Sequence, residues 1–350
     1  MNRTLRRISH RLLPLLPTLL AMSGPVRADL VVLQYHHVSD ATPPSTSTSR
    51  SLFRAQLEFI ESGPYEVVAL DQATRAALGG HLANREQIAF TFDDAYSSVL
   101  TNAAPLLLER GWPFTVFVNT DAVGRAGYMS WEELSELAEN PGVLIANHSA
   151  DHGHLTRQPG ESREAWLTRA TGSLDRAQAA LETQLGNVTP LFAYPYGEFS
   201  TELEGLVEQR GWFGYGQHSG AIGATSSATR LPRFPMANRY GQLATLGNKL
   251  SSRAFPVDAS TLPDGLLTQN PPTLSFRLPD SLSFPKVSCF ASGQGRIETR
   301  WDEQSRQLTA TAPRPLASRR FRYNCTHPSS DNRYFWLSQP WLNQDEAPEE

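Results

Sequence analysis

From Leu30 to Gly216 short apolar runs alternate with longer amphipathic stretches, and this alternation constrains the fold more than any other feature of the 350-residue chain. The runs near Leu30 to Gln34, Glu66 to Ala69, Gln87 to Phe92, Phe114 to Val118, Val143 to Asn147, Pro190 to Tyr194 and Trp212 to Gly216 read as strands. Between them, Leu52 to Glu61, Tyr96 to Arg110, Trp131 to Glu139, Arg163 to Leu185 and Thr201 to Gln209 read as helices. Ser130-Trp131-Glu132-Glu133 has the form of a capping box, so Ser130 is expected to start its helix and Trp131 to pack in the core. Such repetition predicts an α/β fold with a parallel sheet, open or closed into a barrel. His36, Asp93, Asp94, His148 and Tyr196 each follow the C-terminal end of a predicted strand, where both kinds of sheet assemble their sites.

Three short stretches carry the chemistry: Thr91-Phe92-Asp93-Asp94, His148-Ser149-Ala150-Asp151-His152 and Tyr194-Pro195-Tyr196-Gly197. A catalytic zinc takes three protein ligands and keeps one position open. If the second stretch turns helically, His148 and His152 leave on one face and can share an ion, which Asp94 would complete. That set suits zinc, and equally nickel, cobalt, iron or manganese. At a strand end Asp93 would point away from Asp94, free to serve as a base. Each piece alone has an ordinary reading: an Asp-Asp turn or N-cap, a surface or core histidine pair. Their joint occurrence after successive apolar runs points to a hydrolase. His154 competes with His152 as a ligand and is expected beside the ion instead.

With these motifs the sequence resembles the polysaccharide deacetylases of the NodB-homology type, carbohydrate esterase family four, over about Leu30 to Arg239. The resemblance implies a distorted (β/α)7 barrel, Asp93 as general base, Asp94, His148 and His152 as ligands of one divalent ion, and the Tyr196 backbone N–H at the oxyanion. Two features depart from that pattern. No arginine opens the third motif, which reads Phe192-Ala193-Tyr194-Pro195-Tyr196-Gly197-Glu198, and no late Leu-x-His supplies an acid.

The opening strand, Val31-Val32-Leu33-Gln34-Tyr35-His36-His37-Val38, is similar to that of the biofilm poly-N-acetylglucosamine deacetylases. This implies His36 as the acid for the leaving amine, with His37 on the opposite face. His218 is the competing acid, read here as a loop histidine. Tyr194, Pro195 and Trp212 are candidates to touch substrate, although a tryptophan at such a place is more often buried for packing. Arg233 and Arg239 are candidates to stand in for the missing motif arginine, a surface ion pair being the preferred expectation for both. The stretch 41–50 is either a loop over the catalytic face or a solvated connection.

Arg3, Arg6, Arg7 and Arg11, an apolar run from Leu12 to Met22 and Val26-Arg27-Ala28 form the three parts of a secretory signal over residues 1–28. The run is too short for a transmembrane anchor and contains Pro14 and Pro17. Removing those residues takes away five arginines and no acids, moving the formal charge from −4 to −9, which argues against a nucleic-acid partner. The barrel is expected over 29–255, a linker over 256–272 and a small β-sandwich over 273–350. Cys289 and Cys325 both fall in that last domain, and an oxidising periplasm would bridge them. Trp301, Tyr334, Trp336 and Trp341 are expected mainly in its core.

The expected function is removal of N-acetyl groups from N-acetylglucosamine in an exported polysaccharide, poly-N-acetylglucosamine first. The alternatives are a peptidoglycan or chitin deacetylase, or a silent glycan-binding protein.

Overall fold

The computed structural model describes residues 29–347 except 82 and 187; the expected secretory signal lies outside the described residues. Six strands, Leu30–Tyr35, Glu86–Asp93, Phe114–Val118, Val143–Asn147, Leu191–Ala193 and Phe213–Tyr215, run parallel in spatial succession. The two ends of this curled sheet are joined by one segment. Leu231 bridges Tyr215, and Phe234–Pro235 pairs in parallel with Leu33 and Gln34. That segment supplies a seventh stave of a distorted barrel.

Strand alternation sorts the side chains. On the outside, Val31, Leu33, Tyr35, Phe90 and Phe92 pack under the surrounding helices, with Tyr35 stacked 5.3 Å from Phe92. On the inside lie Val32, Ala89, Phe117, Ala146, Ala193 and Tyr215, plugged at the bottom by helix Leu70–Leu78, whose Thr74 hydroxyl is 2.8 Å from the Tyr215 hydroxyl. The same inward parity, continued to the strand ends, delivers Gln34, Thr91 and Asp93 to the barrel mouth.

Four helices begin at a serine whose side chain accepts from the amide three residues on: Ser49, Ser130, Ser162 and Ser200. Ser130 forms the full capping box, and Trp131 packs partly buried against the core. The predicted helix Tyr96 to Arg110 is a different object. A π-turn at Val99–Ala103 precedes helix Ala104–Glu109, because Pro105 has no N–H to continue the i to i−4 ladder.

Beyond the barrel, a five-stranded sheet (Arg253–Ala254, Tyr334–Leu342, Arg320–Pro328, Ser288–Ala291, Gly295–Ile297) faces a three-stranded one (Thr273–Arg277, Gln307–Thr311, Thr299–Asp302) across a second core. The segment expected as a linker is packed, with Val257 and Leu262 in this core, and the end of the range expected as barrel already belongs here: Phe255 joins the core and Arg253–Ala254 pairs with Phe335 and Trp336. Trp341 is buried against Tyr323, while Trp336 meets Phe234 edge-on at 5.3 Å and seats the sandwich on the closing stave. Tyr334 remains exposed.

Cys289 and Cys325 oppose each other in register on neighbouring strands and form a disulfide. The bridge spans 36 positions in sequence, for which loop-closure entropy gives about 3 to 4 kcal/mol. Replacing both cysteines by serine should lower the stability of the sandwich by that order, read as a reduced denaturant midpoint.

Candidate active site

Asp93 ends its strand with no solvent exposure. Its two oxygens take a bidentate grip from Arg233, Nη1 to Oδ1 at 2.7 Å and Nη2 to Oδ2 at 2.9 Å, and Gln34 Nε2 donates to Oδ2 at 2.8 Å. Burial opposes ionisation here, but Arg233 outweighs it and holds the carboxyl far below the usual carboxylate range. Arg233 is itself fully buried and donates also to the Gly216 carbonyl at 2.9 Å and to Thr91 Oγ1 at 3.2 Å. The expected surface ion pair is therefore wrong for Arg233: it leaves the closing stave for the barrel interior and serves Asp93 from a place in sequence far from the third motif. Arg239 stays on Tyr240, 5.9 Å from the ring centroid.

Asp94 does not follow the strand's alternation. Its φ of 74° turns the chain out of the sheet and swings its carboxylate toward the second motif. That motif is not helical. It is a loop held by Asn147 Oδ1 on the Ser149 amide at 2.8 Å and Ser149 Oγ on the His152 amide at 3.1 Å, with Ser149 at φ 65° and His152 at φ 51°. The two rings still converge, His148 Nε2 at 3.5 Å and His152 Nε2 at 3.2 Å from Asp94 Oδ1.

These three groups fit a cation. A tetrahedral site with ligand bonds of about 2.0 to 2.1 Å has edges of about 3.3 Å, close to the 3.5 and 3.2 Å from Asp94 Oδ1 to the two rings. His148 Nδ1 donates to the Ala193 carbonyl at 2.7 Å, which leaves Nε2 as a bare lone pair pointing at Asp94. Both that Nε2 and Asp94 Oδ1 are buried with no hydrogen-bond partner. Burial pushes the His148 ring down to about 3, keeping it neutral as a ligand must be. Burial also raises Asp94 to about 6, a penalty that an adjacent cation would reverse. Among the described residues no other cluster of this kind is present, and His154 is not in it. Its Nδ1 meets Glu198 Oε2 at 2.8 Å instead.

His36 and His37 part as strand alternation demands. His36 lines the cleft with Nε2 4.0 Å from Asp93 Oδ2. His37 stacks on Tyr96 at 3.6 Å outside it, and burial, with His36 adding, pushes its ring down to about 4. His218 also lines the cleft but is buried, and burial and then Arg322 push its ring down to about 3.

The third motif is a tight turn with Tyr196 at φ 58°, ψ 3°. Holding a non-glycine residue there costs about 1 to 3 kcal/mol and persists only where surroundings dictate it. Gly197, at φ 69°, has no room for a side chain: a Cβ would lie 2.6 Å from the Gln217 Cβ. The expectation that Tyr194, Pro195 and Trp212 touch substrate is corrected, since all three are buried. The Tyr194 hydroxyl donates to the Thr229 carbonyl at 2.7 Å, and Trp212 packs under Arg210 and against Phe192.

A cleft of about 590 Å³ opens over Asp94, His152, Tyr196 and His36. Ser45 and Thr46, of the loop whose place the sequence left open, border one side of it. Arg320, Arg322 and Trp341 of the sandwich border another.

The described residues thus form a seven-stave α/β barrel with three potential cation ligands beside a buried carboxylate at its mouth. Residues 82–212 match the polysaccharide deacetylase family, and this part of the barrel is a polysaccharide deacetylase domain. IcaB from Ammonifex degensii is matched over 96% of its chain by 62% of this one, with 27% identity and a TM-score of 0.55. The poly-beta-1,6-N-acetyl-D-glucosamine N-deacetylase of Escherichia coli (strain K12) is 23% identical over 320 residues, 77% of this chain and 48% of that protein. The enzyme of the same name from Staphylococcus aureus (strain MRSA252) is 23% identical over 196 residues, 54% of this chain and 67% of that protein. The chain thus spans about half the length of its Escherichia coli relative.

Proposed function

We propose that this protein is a divalent-metal-dependent N-deacetylase that removes acetyl groups from N-acetylglucosamine units of an exported polysaccharide, poly-β-1,6-N-acetylglucosamine being the first substrate to test. The observation that carries the reading is the pair of orphaned ligand atoms, Asp94 Oδ1 and His148 Nε2, next to an Asp93 locked ionised by Arg233. Asp94, His148 and His152 would hold the ion, with zinc first among the metals that such a set accepts. Bound there, a divalent cation acidifies water and polarises a carbonyl. Asp93 accepts the proton as water adds to the acetyl carbon. The Tyr196 turn offers its backbone N–H to the oxygen that gains charge. His36, on the cleft wall, protonates the nitrogen as the carbon–nitrogen bond breaks, releasing acetate and a free amine.

An exported location is supported by the leader-like residues 1–28 and by the disulfide, which fits an oxidising periplasm. No helix among the described residues is long and apolar enough to cross a membrane.

The test is acetate release from β-1,6 and β-1,4 N-acetylglucosamine oligomers and from peptidoglycan. We expect turnover on the β-1,6 oligomers that a chelator abolishes and added zinc restores. Glycan binding without acetate release would instead make the chain a silent binding protein. On the active substrate, His36→Ala should lower kcat by roughly 100- to 10,000-fold and His37→Ala by less than about tenfold; the reverse order would exchange their roles.

A further inference from the structure

The turn that presents Tyr196 is gripped from the second domain. Arg319 and Arg320 stand at the start of the sandwich strand Arg320–Pro328. Buried Arg319 holds buried Glu198 by both oxygens, Nε to Oε1 at 3.0 Å and Nη2 to Oε2 at 3.2 Å. Glu198 in turn meets His154, whose ring stacks on the Tyr196 ring at 4.3 Å and 13° from parallel. Arg320 Nη1 donates to the Tyr196 carbonyl at 3.2 Å, and its guanidinium lies 5.3 Å from the centre of the Tyr196 ring. Two residues on, Arg322 donates to the Gln217 carbonyl at 2.9 Å, and Gln217 is the residue that crowds Gly197.

All of these contacts converge on 195–198, where Tyr196 occupies backbone space that L residues leave when nothing holds them. Relaxation of that φ would reorient the peptide unit that carries the Tyr196 N–H. We infer that Arg319 and Arg320 are positioning residues of the active site, so that the β-sandwich is a working part of the catalytic apparatus, acting through the Tyr196 turn. The catalytic half of this inference rests on the deacetylase reading; the conformational half does not.

The experiment compares wild type, Arg320→Ala, Arg320→Lys and the double variant Glu198→Gln/Arg319→Met, which removes both buried charges together. Amide hydrogen exchange is followed in the peptide from Tyr194 to Phe199, with the peptide from Glu86 to Asp93 as internal control, beside kcat, KM and metal content. Arg320→Ala should speed exchange in the turn about tenfold or more, leave the control peptide unchanged, and lower kcat about 10- to 100-fold with KM within about threefold. Lysine at 320 can still donate to the carbonyl and should recover most of both losses. If Arg320→Ala fails to fold, the double variant must show the same loosening. Wild-type exchange and kcat in these variants would overturn the inference, as would a raised KM with kcat intact, which would make Arg320 a glycan contact. A wild type that releases no acetate, with a turn that still loosens in Arg320→Ala, would defeat the deacetylase reading and leave the clamp standing.

Discussion

Asp93→Asn should lower kcat for deacetylation by roughly 100- to 10,000-fold in protein that still carries its metal, measured as acetate released per metal-loaded molecule. The reasoning is local. Asparagine keeps the size of the side chain but cannot take a proton from the attacking water, and its amide nitrogen opposes one of the two Arg233 donors. Metal content should survive, because Asp94, His148 and His152 do not use Asp93 as a ligand partner. Loss of metal in step with loss of rate would mean that Asp93 belongs to the cradle and not to the proton path.

The second large effect concerns stability. Arg233→Met should destabilise the protein by about 3 to 5 kcal/mol, because it leaves a buried carboxylate without its counter-ion. Against a usual total of about 5 to 15 kcal/mol, that is enough to unfold much of the population on modest warming. Arg233→Lys should fall between, since an ammonium restores the charge but not the two-pronged grip or the bond to Gly216. Denaturant titrations in which Arg233→Met matched wild type would show that the pair contributes nothing beyond what it costs to bury.

The chemistry and the barrel were legible in the sequence because both depend on short-range pattern. Apolar runs gave six of the seven staves to within a residue, whereas the seventh, Phe234–Pro235, is not among the predicted runs, and the run Glu66 to Ala69 is strand Tyr65–Val67, paired with Glu86–Asp93 off the barrel path. The inward parity of Gln34, Thr91 and Asp93 follows from period-two alternation. Geometry set by left-handed residues was not legible. Asp94, Ser149, His152 and Tyr196 all have positive φ without being glycine; the enrichment of Asp and His in that region is too weak to place them there, and Ser and Tyr carry no such signal. Thus the two histidines converge by a loop, where spacing alone suggested a helix. Long-range partners were equally hidden. Arg233 lies 140 positions from Asp93, and Arg319 lies 121 from Glu198. A signal was there for Gln34, a lone amide in an apolar strand that the reading passed over, and for the arginines 319, 320 and 322, which mark a strand edge facing something acidic or polar.

The most direct test of the account is anomalous diffraction from crystals of the protein soaked in zinc. We expect a single peak at the barrel mouth, about 2.0 to 2.2 Å from an Asp94 oxygen and from Nε2 of both His148 and His152, with Asp93 outside the shell and still on Arg233. A peak bound through His154 and Glu198, or none within reach of the three, would contradict it.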